Sequence, residues 1–183
     1  MILKSELDND MSISFTKSGS TIPSIGLGTW ELNGSDCSRV VTEALEIGYR
    51  HIDGAAMYEN ESEVGSAIIN SGVRREDIFL ATKINTTGWT PSNGNGPFLK
   101  NTDISKSFEK SLKDLQTDYV DLLLIHWPRF ETNLGDMLEI LYKLKDAKKV
   151  KEVGVANFNS KLLNECINPV SYTHLRAHET KAN

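Results

Sequence analysis

The sequence predicts an α/β fold with a parallel sheet, on three observations. Four short apolar stretches, partly β-branched and bounded by polar loops, cover residues 50–52, 78–82, 119–125 and 153–156, as buried parallel strands do. Amphipathic segments at helical spacing occupy 38–47, 62–70, 103–115 and 134–147, so strand and helix alternate along the chain. Each apolar stretch also ends in a residue able to hold a ligand or move a proton: Asp53, Lys83, His126 and Asn157. In such folds ligands gather at the carboxyl ends of the strands. One of these residues alone reads equally well as a strand ending in solvent; four together point to one site.

Taken in order, residues 12–16 alternate, 17–21 supply turn chemistry and 22–25 follow, which reads as a small hairpin ahead of the first parallel strand, near Ile25. Such a hairpin could plug the bottom of a barrel. Gly26-Leu27-Gly28-Thr29-Trp30 has the look of a phosphate loop, but it lacks a third glycine and an immediately following helix. The glycines are read instead as letting backbone pass close to a ligand, with Trp30 either an apolar wall or ordinary core. Residues 86–97 form a long loop rich in glycine and proline, of the kind often used as a lid. Trp89 within it either caps a pocket or pins the loop to the surface.

The chain has 183 residues and a formal net charge of −5, and 39% of it is hydrophobic, which fits one globular domain with a real core. The acidic balance argues against a nucleic-acid partner, and Lys143, Lys145, Lys148, Lys149 and Lys151 read as the solvated end of a helix. The two cysteines, Cys37 and Cys166, fall on predicted helices without a pairing motif, as in a reducing cytoplasm. Residues 1–11 lack a signal-peptide core, and no apolar run is long enough to cross a bilayer, so a cytoplasmic protein is expected. His174 and His178 stand at helical spacing but lack supporting carboxylates or thiolates, so no metal site is expected. No Gly-x-Ser-x-Gly elbow supports a hydrolase.

Residues 48–61, Gly-Tyr-Arg-His-Ile-Asp-Gly-Ala-Ala-Met-Tyr-Glu-Asn-Glu, resemble the aldo-keto reductase signature around its catalytic Asp and Tyr. Ala81-Thr82-Lys83, residues 118–128 and residues 153–158 resemble later blocks of that family, in order and at its spacing, so the resemblance spans about 13–169. Within the family the chain is most similar to bacterial reductases of the 2,5-diketo-gluconate type. The resemblance implies a (β/α)8 barrel that binds NADPH, with NADH possible, and reduces small carbonyl compounds to alcohols, as a monomer and without metal. It makes Tyr58 the proton donor, completed by Asp53, Lys83 and His126. It implies cofactor contacts from Gly28, Thr29, Trp30, Asp53 and Asn157, and substrate contacts from Trp30, Tyr58, Trp89, His126 and Trp127. The chemistry is coherent: a phenol of pKa about 10 is a poor acid at neutral pH, and a nearby ammonium makes it a better one. Asp53 would anchor that ammonium, and His126 would orient the carbonyl. Two positions depart from the usual pattern, Ala156 where serine is common and Gly54 where threonine is common.

About five βα units can be counted, fewer than a complete barrel has. Residues 170–183 show neither an apolar run nor the family pattern and resemble translated adapter sequence, so the domain is expected over 12–169 with a non-native tail. The parent protein is therefore expected to be a reductase, and this chain weakly active or inactive. A nucleotide-binding regulatory or structural relative without turnover is the alternative.

Overall fold

The computed structural model describes residues 12–14, 21–128, 134–164 and 166–167. Residues 1–11, most of the expected hairpin turn at 17–21, the 170–183 tail and its His174 and His178 lie outside the described residues. A short antiparallel pair, β1 (Ser12–Ser14) with β2 (Thr21–Pro23), precedes a five-stranded parallel sheet. Its strands are β3 (Leu27–Gly28), β4 (His51–Asp53), β5 (Phe79–Ile84), β6 (Val120–Ile125) and β7 (Val150–Val155), in that spatial order. Helices α1 (Gly34–Glu46), α2 (Glu61–Asn70), α3 (Ile104–Asp114) and α4 (Leu134–Asp146) connect consecutive strands. The fold is thus α/β with a sequential parallel sheet. Among the described residues the barrel is not closed: β3 and β7 are its two edges.

The differences from sequence expectation have local causes. Helix α1 begins four residues before the expected 38, because Cys37 joins Val41, Ala44 and Leu45 in one buried stripe. The first parallel strand is Leu27–Gly28, while Ile25 is exposed in the bend before it. Strand β7 starts at Val150, not 153, since Lys151 and Glu152 interrupt the apolar pattern while their charges find partners: Lys151 pairs with Asp121 at 2.7 Å and Glu152 with Lys145 at 2.8 Å. The expected solvated lysine cluster is therefore partly an ion-pair network. Asp121 is buried and also accepts from Arg75 Nη2 at 2.8 Å and from the Leu80 amide at 3.0 Å, tying β5, β6 and β7 together at their N-terminal ends.

Strand β5 is buried along its whole length. Side chains alternate across a strand, so Leu80 and Ile84 enter the core with Val41, Leu45, Phe108, Leu123 and Leu141. Phe79, Ala81 and Lys83 then share the opposite, inner face. Helix α2 is held close to the end of α3 by Gly65, where a Cβ would lie 2.6 Å from the Leu115 carbonyl. Gly65→Ala should therefore lower stability by about 1–3 kcal/mol, as overpacking does, measured by urea unfolding.

Candidate active site

The geometry centres on Lys83. Its ammonium has three protons to donate, and three sets of acceptors surround it. Both Asp53 carboxylate oxygens lie at 2.8 and 2.9 Å, the Gly54 carbonyl at 2.9 Å and the Tyr58 hydroxyl at 3.3 Å. The Lys83 side chain is 8% exposed and that of Asp53 38%. Because Tyr58 Oη accepts from Lys83, its own proton is left to donate elsewhere.

Each side chain arrives by a different local device. Asp53 and Lys83 stand on the same sheet face, since Asp53 is paired with Ala81, two residues before Lys83. Lys83 is paired with Leu124, two before His126, whose amide bonds to the Ile84 carbonyl at 3.2 Å. Tyr58 is on no strand; it ends the one-turn 3₁₀ helix Ala56–Tyr58, between extended Ala55 and left-handed Glu59. His126 is buried and its ring centroid lies 5.6 Å from that of Tyr58, edge to face. Burial, and then the positive charge of Lys83, push its pKa down to about 4, with Asp53 opposing. The ring is therefore neutral at neutral pH. Its Nδ1 is enclosed with no partner among the described residues, which leaves Nε2 as the nitrogen able to meet a ligand.

Above these groups opens a cavity of about 680 Å³. It brings together Asp53, Tyr58, Lys83, His126, Asn157, Trp30, Trp89 and Trp127 from the expected residues, and adds Met57, Thr87 and Ala156. Trp30 packs on Tyr58 at 4.9 Å and faces Trp89 at 6.2 Å, while Trp127 stacks on His126 at 6.0 Å. Trp30 is 43% exposed, so it is wall and not core. Asn157 reaches the cavity through a left-handed backbone, φ 61°, and its Nδ2 donates to the His126 carbonyl at 2.8 Å.

Two expected cofactor contacts stand apart. Gly28 lines a second hollow of about 410 Å³ beside Pro23 and His51, which shares only Asp53 with the first, and a Cβ there would touch nothing within 4 Å. Thr29 is fully buried, and its amide and hydroxyl both bond to the Asp53 carbonyl, at 3.1 and 3.3 Å. Sequence reasoning gave no role to Asn60, whose buried amide donates to Thr29 O at 2.7 Å and Leu32 O at 2.8 Å. It locks the turn that carries Trp30 to the start of α2. A polar residue between Tyr58 and the α2 pattern was its available signal, although its side chain caps no helix. Among the described residues no group of three or more His, Cys, Asp or Glu could hold a metal, and no helix is long and apolar enough to cross a membrane.

A family model described as the aldo/keto reductase family matches residues 24–181. The chain is 43% identical over 150 residues to an aldo-keto reductase of Mycolicibacterium smegmatis, covering 81% of this chain and 51% of that protein. It is 39% identical over 165 residues to the methylglyoxal reductase DkgB of Salmonella typhi, covering 87% and 57%. Among solved structures, a candidate 2,5-diketo-D-gluconic acid reductase B superposes with a TM-score of 0.74 at 36% identity, over 82% of this chain and 50% of that one. An aldo/keto reductase from Brucella melitensis gives 0.73 at 38% identity, over 86% and 57%. The chain spans about half the length of the curated relatives it matches.

The lowered His126 value has a measurable consequence. Its native pKa lies near 4 and its ordinary value is 6.5. Between those limits the unfolded chain binds more protons, so stability should fall as pH is lowered through that window. Urea midpoints against pH should show that slope in the wild type and a flatter one in His126→Gln. NMR of the His126 ring should show it uncharged throughout most of the window.

Proposed function

This chain belongs to the aldo/keto reductase family, and from that premise we propose that it carries the proton-transfer site of an NADPH-dependent reductase of aldehydes and ketones. The observation that carries the reading is the direction of one hydrogen bond. Lys83 donates to Tyr58 Oη, so the phenolic proton is available to a carbonyl oxygen in the cavity. As that proton leaves, the charge on the Tyr58 oxygen is met by the ammonium, which Asp53 and the Gly54 carbonyl hold in place. Neutral His126 offers Nε2 to the same carbonyl oxygen and orients it, which a charged ring would do only by competing for the acid's role. Trp30, Trp89 and Trp127 give the cavity apolar walls around the reacting groups.

NADPH, when bound, supplies the hydride that reduces the carbonyl carbon. The residues present fit its nicotinamide end: the cavity is roomy, and Asn157, with one Nδ2 hydrogen given to His126 O, keeps a second donor hydrogen and its amide oxygen for a carboxamide. The relatives named for methylglyoxal and 2,5-diketo-D-gluconic acid point to small, oxygen-rich carbonyl substrates. The buried thiols of Cys37 and Cys166, not joined in a disulfide, fit a reducing cytoplasm.

The test is NADPH oxidation by this chain with methylglyoxal and a panel of aldehydes. Tyr58→Phe should lower the rate by about 10²-fold or more while NADPH binding is kept. NADPH bound by both proteins with no oxidation by either would favour a nucleotide-binding relative without turnover.

A further inference from the structure

The loop over residues 85–99 is built as a rigid flap. Its base is pinched where Gly88 and Gly96 meet: a Cβ on Gly88 would lie 2.1 Å from the Pro97 carbonyl oxygen, and one on Gly96 2.5 Å from that of Gly88. Only glycine fits either place. The Gly96 amide bonds to the Gly88 carbonyl at 3.0 Å, and Thr90 and Gly94 exchange two backbone bonds at 3.0 and 2.8 Å. Asn85 folds the near end, with Oδ1 accepting from the Thr87 and Gly88 amides and Nδ2 donating to Trp89 O at 2.8 Å. At the root, Thr86 Oγ1 donates to Trp127 O at 2.9 Å.

The tip is held differently. Ser92 gives both its amide, at 3.0 Å, and its hydroxyl, at 2.5 Å, to the carboxylate of Glu59. Glu59 directly follows Tyr58 and sits in the left-handed region, φ 57°, a costly conformation for a side-chain-bearing residue. The Ser92 hydroxyl holds its carboxyl below the ordinary value, so it is ionised at neutral pH. Between root and tip the flap carries Trp89 against Trp30.

We propose that Glu59 is a positioning residue that latches the 85–99 flap shut, keeping Trp89 and Trp30 together as the wall met by the end of a substrate remote from its carbonyl. Its bearing on substrate choice rests on the reductase reading. The latch itself does not.

The test is hydrogen exchange on the 183-residue chain, which needs no turnover, so failure of the latch cannot be mistaken for failure of the reductase reading. In Glu59→Ala the amides of Thr90, Ser92, Asn93 and Gly94 should exchange about tenfold faster, with β5 amides unchanged, as when one local opening loses a charge-assisted bond. Glu59→Gln, which keeps an acceptor, should restore part of the protection. Acrylamide should quench tryptophan emission more strongly in Glu59→Ala as Trp89 leaves Trp30. Unchanged exchange over 90–94 would overturn the proposal. So would acceleration that spreads equally into β5, which marks a general structural role.

Discussion

The seat of the Lys83 ammonium is the constraint on which the site depends. A lysine that is nearly enclosed must have each of its donors met, and here the acceptors come from a strand end, a backbone carbonyl and a turn. Moving any one of β4, β5 or the Ala56–Tyr58 turn would cost the ammonium at least one of these partners. The seat therefore dictates where Tyr58 stands and which way its hydroxyl proton is free to point.

The parallel sheet supplies this seat through parity. Asp53 is level with Ala81, Lys83 with Leu124, and Leu124 with Gly154, so successive polar side chains climb the inner face in steps of two residues. A slip of one residue in any pairing would turn a site residue into the helix layer. The Asp121 network guards that register at the other end of the strands, since Arg75 reaches it from the turn before β5 and Lys151 from β7. Stability and chemistry are thus arranged at opposite ends of the same strands.

Much of this was legible because strand-ending polar residues and helical stripes are local signals. Asp53, Lys83 and His126 were marked by apolar runs that stop at them, and the structure sets them on one face. Asn157 was marked by the same rule for a different reason: by parity the inner-face residue after Gly154 is Ala156, and Asn157 enters the cavity only because its backbone turns left-handed. Tyr58 lies on a one-turn helix with no periodic pattern, so only family resemblance drew attention to it. Glu59, Asn60 and Ser92 were silent because their roles are contacts between distant segments. Trp89 carried two readings at the sequence level, since whether a loop aromatic roofs a pocket depends on where the flap is tied.

The most direct test of the Lys83 seat is a double-mutant cycle of Asp53→Asn and Lys83→Met by urea unfolding of this chain, at neutral pH and low salt. If the ammonium is organised by Asp53, the two changes should be non-additive, with a coupling energy of about 1 kcal/mol. Strictly additive losses would mean that Asp53 and Lys83 act independently, and the account of the site as one seated ammonium would be wrong.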